Sequence, residues 1–135
     1  MKPTQLVLYF IPEFHKEKKV TALCRRLGMM TRKMKPSDAA VSVGSLAGVS
    51  GIPARCEKAA VPEDFCMPEL LIFCGLSEEQ LDRFLAEYKK EGIEPIALKA
   101  VLTQYNGTWS LGALVRELQR ERAELEKQEG ESREQ

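Results

Sequence analysis

Two apolar runs frame the chain: Leu6–Ile11 (L-V-L-Y-F-I) and Leu70–Cys74 (L-L-I-F-C). Each has the length and the aromatic and branched content of a buried strand. A helical stripe follows each. Within Lys16–Leu27, Val20, Leu23, Cys24 and Leu27 recur at i, i+3, i+4 and i+7, with Lys16, Lys18, Lys19, Arg25 and Arg26 on the wet side. After the second run, Leu81, Phe84, Leu85 and Tyr88 repeat that spacing. Ser77 and Gln80 have the form of a capping box there, and Glu78 and Glu79 suit the positive end of the helix. Gly28 and Gly92 stand where helix-ending glycines belong.

Shorter patterns fill the remainder. Met29–Met34 predicts a second strand, edge-like because Arg32 and Lys33 interrupt it. Pro36-Ser37-Asp38 is a turn, and Ser42–Gly51 (S-V-G-S-L-A-G-V-S-G) is a short helix with a loop, or a loop with inward-pointing N–H groups. Residues Ile52 to Pro68 keep no period and read as a surface connection, with Val61 and Phe65 pinned to the core. Ile93–Leu98 predicts a fourth strand, whose early Pro95 suits an edge. Asn106-Gly107 is a turn, and Thr108 or Ser110 opens a last helix. Its apolar face is Leu111, Leu114, Val115 and Leu118, continued by Leu125. Apolar residues run out near Lys127, which predicts a flexible tail at 129–135.

Shifting the chain by 64 residues without a gap lays Leu6 on Leu70, Gly28 on Gly92, Lys35 on Lys99 and Gly48 on Gly112. Strand, helix, glycine and strand then coincide in order. The expected fold is α/β (α+β): one domain over 1–128, built of two duplicated β-α-β units at about 5–51 and 69–118 joined through 52–68. Strand-helix-strand twice is the order of a ferredoxin-like four-stranded sheet, with helices on one face plus the C-terminal helix. The first and third strands should be central and the other two at the edges. The alternative is a small parallel doubly wound sheet.

Composition narrows the class. The chain has 135 residues, which suits one domain. Charged residues make up 30%, with 20 Lys and Arg against 20 Asp and Glu, so no basic excess points to nucleic acid. No apolar run approaches the roughly 20 residues needed to span a bilayer. The N-terminal M-K-P-T-Q-L-V-L-Y-F-I-P lacks the long apolar segment and cleavage site of a signal peptide, so a cytoplasmic setting is expected. Cys24, Cys56, Cys66 and Cys74 form no C-x-x-C pair, and the reading is reduced thiols with no bound metal.

The segment K-A-V-L-T-Q-Y-N-G-T-W-S-L, Lys99–Leu111, resembles a bacterial family known only as a domain of unknown function, DUF3783-like, whose members carry a K-A-V-L-T, Asn, Trp pattern before an amphipathic helix. L-L-I-F-C-G-L-S-E-E-Q-L, Leu70–Leu81, fits the same family, and V-G-S-L-A-G, Val43–Gly48, fits it more loosely, with Ser45 where an aromatic is usual. The resemblance implies no activity.

The candidate site is Lys99 with Thr103, Asn106 and Trp109. A lysine after a strand and beside a helix start suits a small anion. Lys35 with Ser42, Gly44 and Ser45 is the matching half. Neither G-x-x-x-x-G-K-[ST] nor G-x-G-x-x-G is present. The competing reading is structural: Trp109 buried as an anchor, Asn106 holding a turn, and the Lys99 stem covering apolar surface with its ammonium near water. His15 lies on a polar helix start with no identifiable nucleophile. The expected function is a binding or regulatory module for a small anionic ligand, without a cofactor and more plausibly not an enzyme. The alternative is a protein–protein interaction module or homodimer.

Overall fold

The computed structural model describes residues 5–48, 66–102 and 109–133. Its element order is β1 (Leu6–Phe10), α1 (Phe14–Arg26), β2 (Met30–Lys33), a 3₁₀ helix (Pro36–Ala40), α2 (Val43–Leu46), β3 (Leu70–Cys74), α3 (Glu78–Lys90), β4 (Leu98–Val101) and α4 (Leu111–Arg133).

The strands form one mixed sheet in the order β2-β1-β3-β4. β1 pairs parallel with β2, β3 pairs parallel with β4, and the two central strands are antiparallel. The apolar strands are central and the short ones are at the edges, as their patterns predict. The order is not ferredoxin-like. A split β-α-β unit inserts a foreign strand between its two parallel strands, whereas here each unit's strands are direct hydrogen-bonded neighbours. The antiparallel centre also excludes a doubly wound parallel sheet.

Helices cover both faces, which is why β1 and β3 are apolar at successive positions. α1 and α3 bury Val20, Leu23, Cys24, Phe84 and Tyr88 on Val7, Tyr9, Leu71 and Phe73. On the opposite face α2 and α4 bring Val43, Leu46, Leu111, Leu114 and Val115 onto Leu6, Leu8, Leu70 and Ile72.

Local signals place the helix ends. Glu13 starts α1, accepting from His15 N at 3.0 Å and Lys16 N at 2.5 Å, so the helix begins before the expected Lys16. These two N–H groups also hold the Glu13 carboxyl below its ordinary pKa. The Ser77–Gln80 capping box opens α3. Gly28 and Gly92 end α1 and α3 at φ of 78° and 68°, a region that L side chains rarely adopt. α4 continues to Arg133, past the expected fraying point. Its outer part is rich in Glu, Arg, Gln and Lys, good helix formers, and Arg120–Glu124 and Arg122–Glu126 pair at i, i+4.

The offset between halves changes along the chain. β1 and α1 lie 64 residues before β3 and α3 (Leu6 to Leu70, Phe14 to Glu78), but β2 lies 68 before β4 (Met30 to Leu98). The second crossover is four residues longer, so Lys35 and Lys99 do not correspond, nor do Gly48 and Gly112. The fourth strand accordingly begins at Leu98, not Ile93. Ile93 and Ile96 are apolar because the arch before β4 plugs the α1–α3 core, not because they form a strand.

Three side chains hold that arch. The Tyr88 hydroxyl donates to the Glu94 carbonyl, Lys16 Nζ donates to the Pro95 carbonyl at 3.0 Å, and Arg122 Nη1 donates to the Ala97 carbonyl at 2.5 Å. They come from α3, α1 and α4. Lys16 is buried, contrary to its expected place on the wet side, and its ammonium also meets Glu69 Oε1 at 2.9 Å. Lys16→Met should lose about 1–3 kcal/mol, because it leaves Glu69 and the Pro95 carbonyl without their donor. Adding Glu69→Gln should recover part of the loss. Urea titrations of the single and double variants measure both effects, and a single-variant loss below about 0.5 kcal/mol removes the latch from the account.

Candidate functional site

The start of α4 meets the segment before α2. Ser42 and Ser110 form an isolated antiparallel bridge, in which Val43 N donates to the Trp109 carbonyl and Leu111 N to the Val41 carbonyl, each at 2.9 Å. The two serines are buried and each caps a helix. Ser42 Oγ accepts from Ser45 N at 3.3 Å, and Ser110 Oγ accepts from Ala113 N at 3.2 Å. Close packing follows: a Cβ on Gly112 would lie 3.2 Å from the Ala39 carbonyl oxygen.

This junction gathers Ser42, Gly44, Ser45 and Trp109 from the expected site. Most N–H groups from Val43 to Gly48 are engaged within the fold. Leu46 N donates to the Ser42 carbonyl, Ala47 N to the Val43 carbonyl and Gly48 N to the Ser45 carbonyl, beside the Val43 and Ser45 bonds above. Trp109 corrects the expectation of a buried anchor, because the residue is 40% exposed. Its carbonyl ties α4 to the segment before α2.

Lys99 is not part of this junction. It is the second residue of β4, opposite Leu71, on the α1–α3 side of the sheet. The neighbours Leu98 and Ala100 face the other cluster, as strand alternation requires. Lys99 is exposed, as expected for its ammonium. Lys35 is exposed before the 3₁₀ helix, where its N–H donates to Asp38 Oδ2 at 2.9 Å. Thr103 and Asn106 lie outside the described residues, as do Val61, Phe65 and Cys56.

Burial pushes the thiols of Cys24 and Cys74 up to about 12. Burial, then Glu69 and Glu94, raises the Tyr88 hydroxyl to about 12. Among the described residues no group of three or more His, Cys, Asp or Glu is placed to hold a metal ion, and no helix is long and apolar enough to cross a membrane.

The Lys16–Glu69 pair is the main polar feature that pattern reading missed. A signal for it exists: Lys16 falls four residues before Val20, on the apolar stripe itself.

The fold is thus a four-stranded mixed sheet between two helical layers, and its second half has a known counterpart. Residues 69–125 match a family described as a domain of unknown function (DUF3783). The chain contains a DUF3783-like domain there, spanning β3, α3, β4 and the first part of α4. No curated protein and no solved structure matches the chain.

Proposed function

We propose that this protein is a non-enzymatic binding module that works through protein–protein contact. The observation that carries this reading is the state of the Ser42–Ser110 junction. Five N–H groups of the glycine-rich segment, those of Val43, Ser45, Leu46, Ala47 and Gly48, are spent on internal hydrogen bonds, which leaves little of a backbone anion cradle. Lys99, the cation expected in the half with Trp109, lies on the other side of the sheet. The two halves are best read as one duplicated β-α-β unit, supported by the shared offset of 64 for β1–α1 and β3–α3. A reducing, cytosolic setting suits the free thiols Cys24, Cys66 and Cys74.

Thermal melts of the full chain with inorganic phosphate and with a nucleotide mixture test the reading. No shift is expected. A concentration-dependent rise in Tm that Lys99→Ala or Lys35→Ala abolishes would replace the interaction module with an anion-binding one.

A further inference from the structure

The two β-α-β units present different outer flanks. Beside β2, the flank of α1 carries Glu17, with Lys33 Nζ 3.2 Å from its Oε2, close enough for ion pairing though not aligned as a hydrogen bond. The residues at the same places beside β4 are Leu81, corresponding to Glu17 at the 64-residue offset, and Val101, corresponding to Lys33 at the 68-residue offset. Leu85 stands where α1 has Thr21. One flank carries an ion pair; the other is apolar, with Leu85 38% and Val101 44% exposed.

The orientation of α3 is fixed by its contact with α1. Arg26 reaches Glu87 at 3.0 Å and Glu91 at 2.5 Å, so that side of α3 faces α1. Leu85 is two residues from Glu87, about 200° around the helix, and therefore points away from α1. Asp82, Leu85 and Lys89 are spaced by three and four residues, form one ridge, and are all exposed. The ridge is acidic at its N-terminal end, apolar in the middle and basic at its C-terminal end.

We propose that this ridge docks on the same ridge of a second copy, with the two α3 helices antiparallel about a two-fold axis near Leu85. The charge pattern identifies the occupant: antiparallel packing sets Asp82 of each copy against Lys89 of the other, and Leu85 against Leu85. The interface is isologous, and the opposed helix dipoles favour it. The α1 flank does not serve a second copy in this way. Lys18 and Arg25 lie on the outer side of that helix, and two such surfaces repel. The inference rests on the interaction reading above and names its partner.

Sedimentation equilibrium of the full chain over a concentration range tests it. The wild type should dimerise. Leu85→Glu should raise the dimer dissociation constant about tenfold or more while leaving the far-ultraviolet circular dichroism unchanged. Asp82→Lys and Lys89→Asp should each weaken the dimer, and the double exchange should restore it, because only antiparallel self-pairing makes the swap neutral. Lys18→Asp, on the other flank, should change nothing. A wild type that is monomeric at the highest concentration reached overturns the proposal, as does a double exchange no better than the single ones. If the monomeric wild type still forms a cross-linked adduct with a different protein that Leu85→Glu abolishes, the second-copy assignment fails and the interaction module survives. An anion-dependent melt would instead remove the module itself.

Discussion

Leu8→Ala and Ile72→Ala should each lower the unfolding free energy by about 2–5 kcal/mol, and by similar amounts. The two residues face each other across the antiparallel centre of the sheet, and both are fully buried. Both lie in the cluster under α2 and α4, so each truncation opens a cavity at the same layer. The loss contains the transfer term of the removed carbons and the cavity that neighbours fail to fill. Because they touch across one cavity, the double variant should depart from additivity. Denaturant titration of the three variants measures this. Losses below about 1 kcal/mol at both sites would contradict a core centred on the β1–β3 pair.

Phe84→Ala should cost about 3–5 kcal/mol, whereas Trp109→Ala should cost less than about 2 kcal/mol. Phe84 is fully buried, with its ring 5.2 Å from Phe73 edge-to-face and 5.9 Å from Tyr88. Removing it strips α3 of its central contact with the sheet and removes both ring contacts. Trp109 is 40% exposed, and the bond that docks α4 comes from its backbone, which alanine retains. The ordering runs against residue size: the largest side chain in the chain matters less than a phenylalanine on the covered side of a helix. Thermal or urea unfolding of the two variants decides the matter, and a greater loss for Trp109→Ala would show that its ring packs after all.

The two faces of the sheet explain what the sequence could and could not reveal. Helical spacing at Val20, Leu23, Cys24, Phe84 and Tyr88 marks buried stripes, and all five are core residues. The positions of β1 and β3 were legible too, because a strand covered on both faces must be apolar at every residue. Strand order was not. Two β-α-β units in a row are compatible with several sheets, and which unit's strand neighbours which depends on tertiary packing. The arch at Ile93–Ala97 misled for a specific reason: its apolar residues fill the core as a strand would, and only the Glu94, Pro95 and Ala97 carbonyls, bonded to side chains instead of a ladder, reveal otherwise. Of the candidate site, Ser110 was legible as a helix start, but its pairing with Ser42 was not, because that pairing is a tertiary contact. The face occupied by Lys99 was not, since it depends on the four-residue difference between crossovers.

The same arch limits how this chain may be re-engineered. Most surface connections are safe places to split a polypeptide, graft a tag or join a new terminus. This one is not, although it looks short and proline-marked enough to qualify. Its carbonyls are gripped by helices from both layers, so opening the backbone there would release Lys16, Tyr88 and Arg122 together. A permutation or reporter insertion belongs elsewhere, because this connection acts as a clasp between the two helical layers.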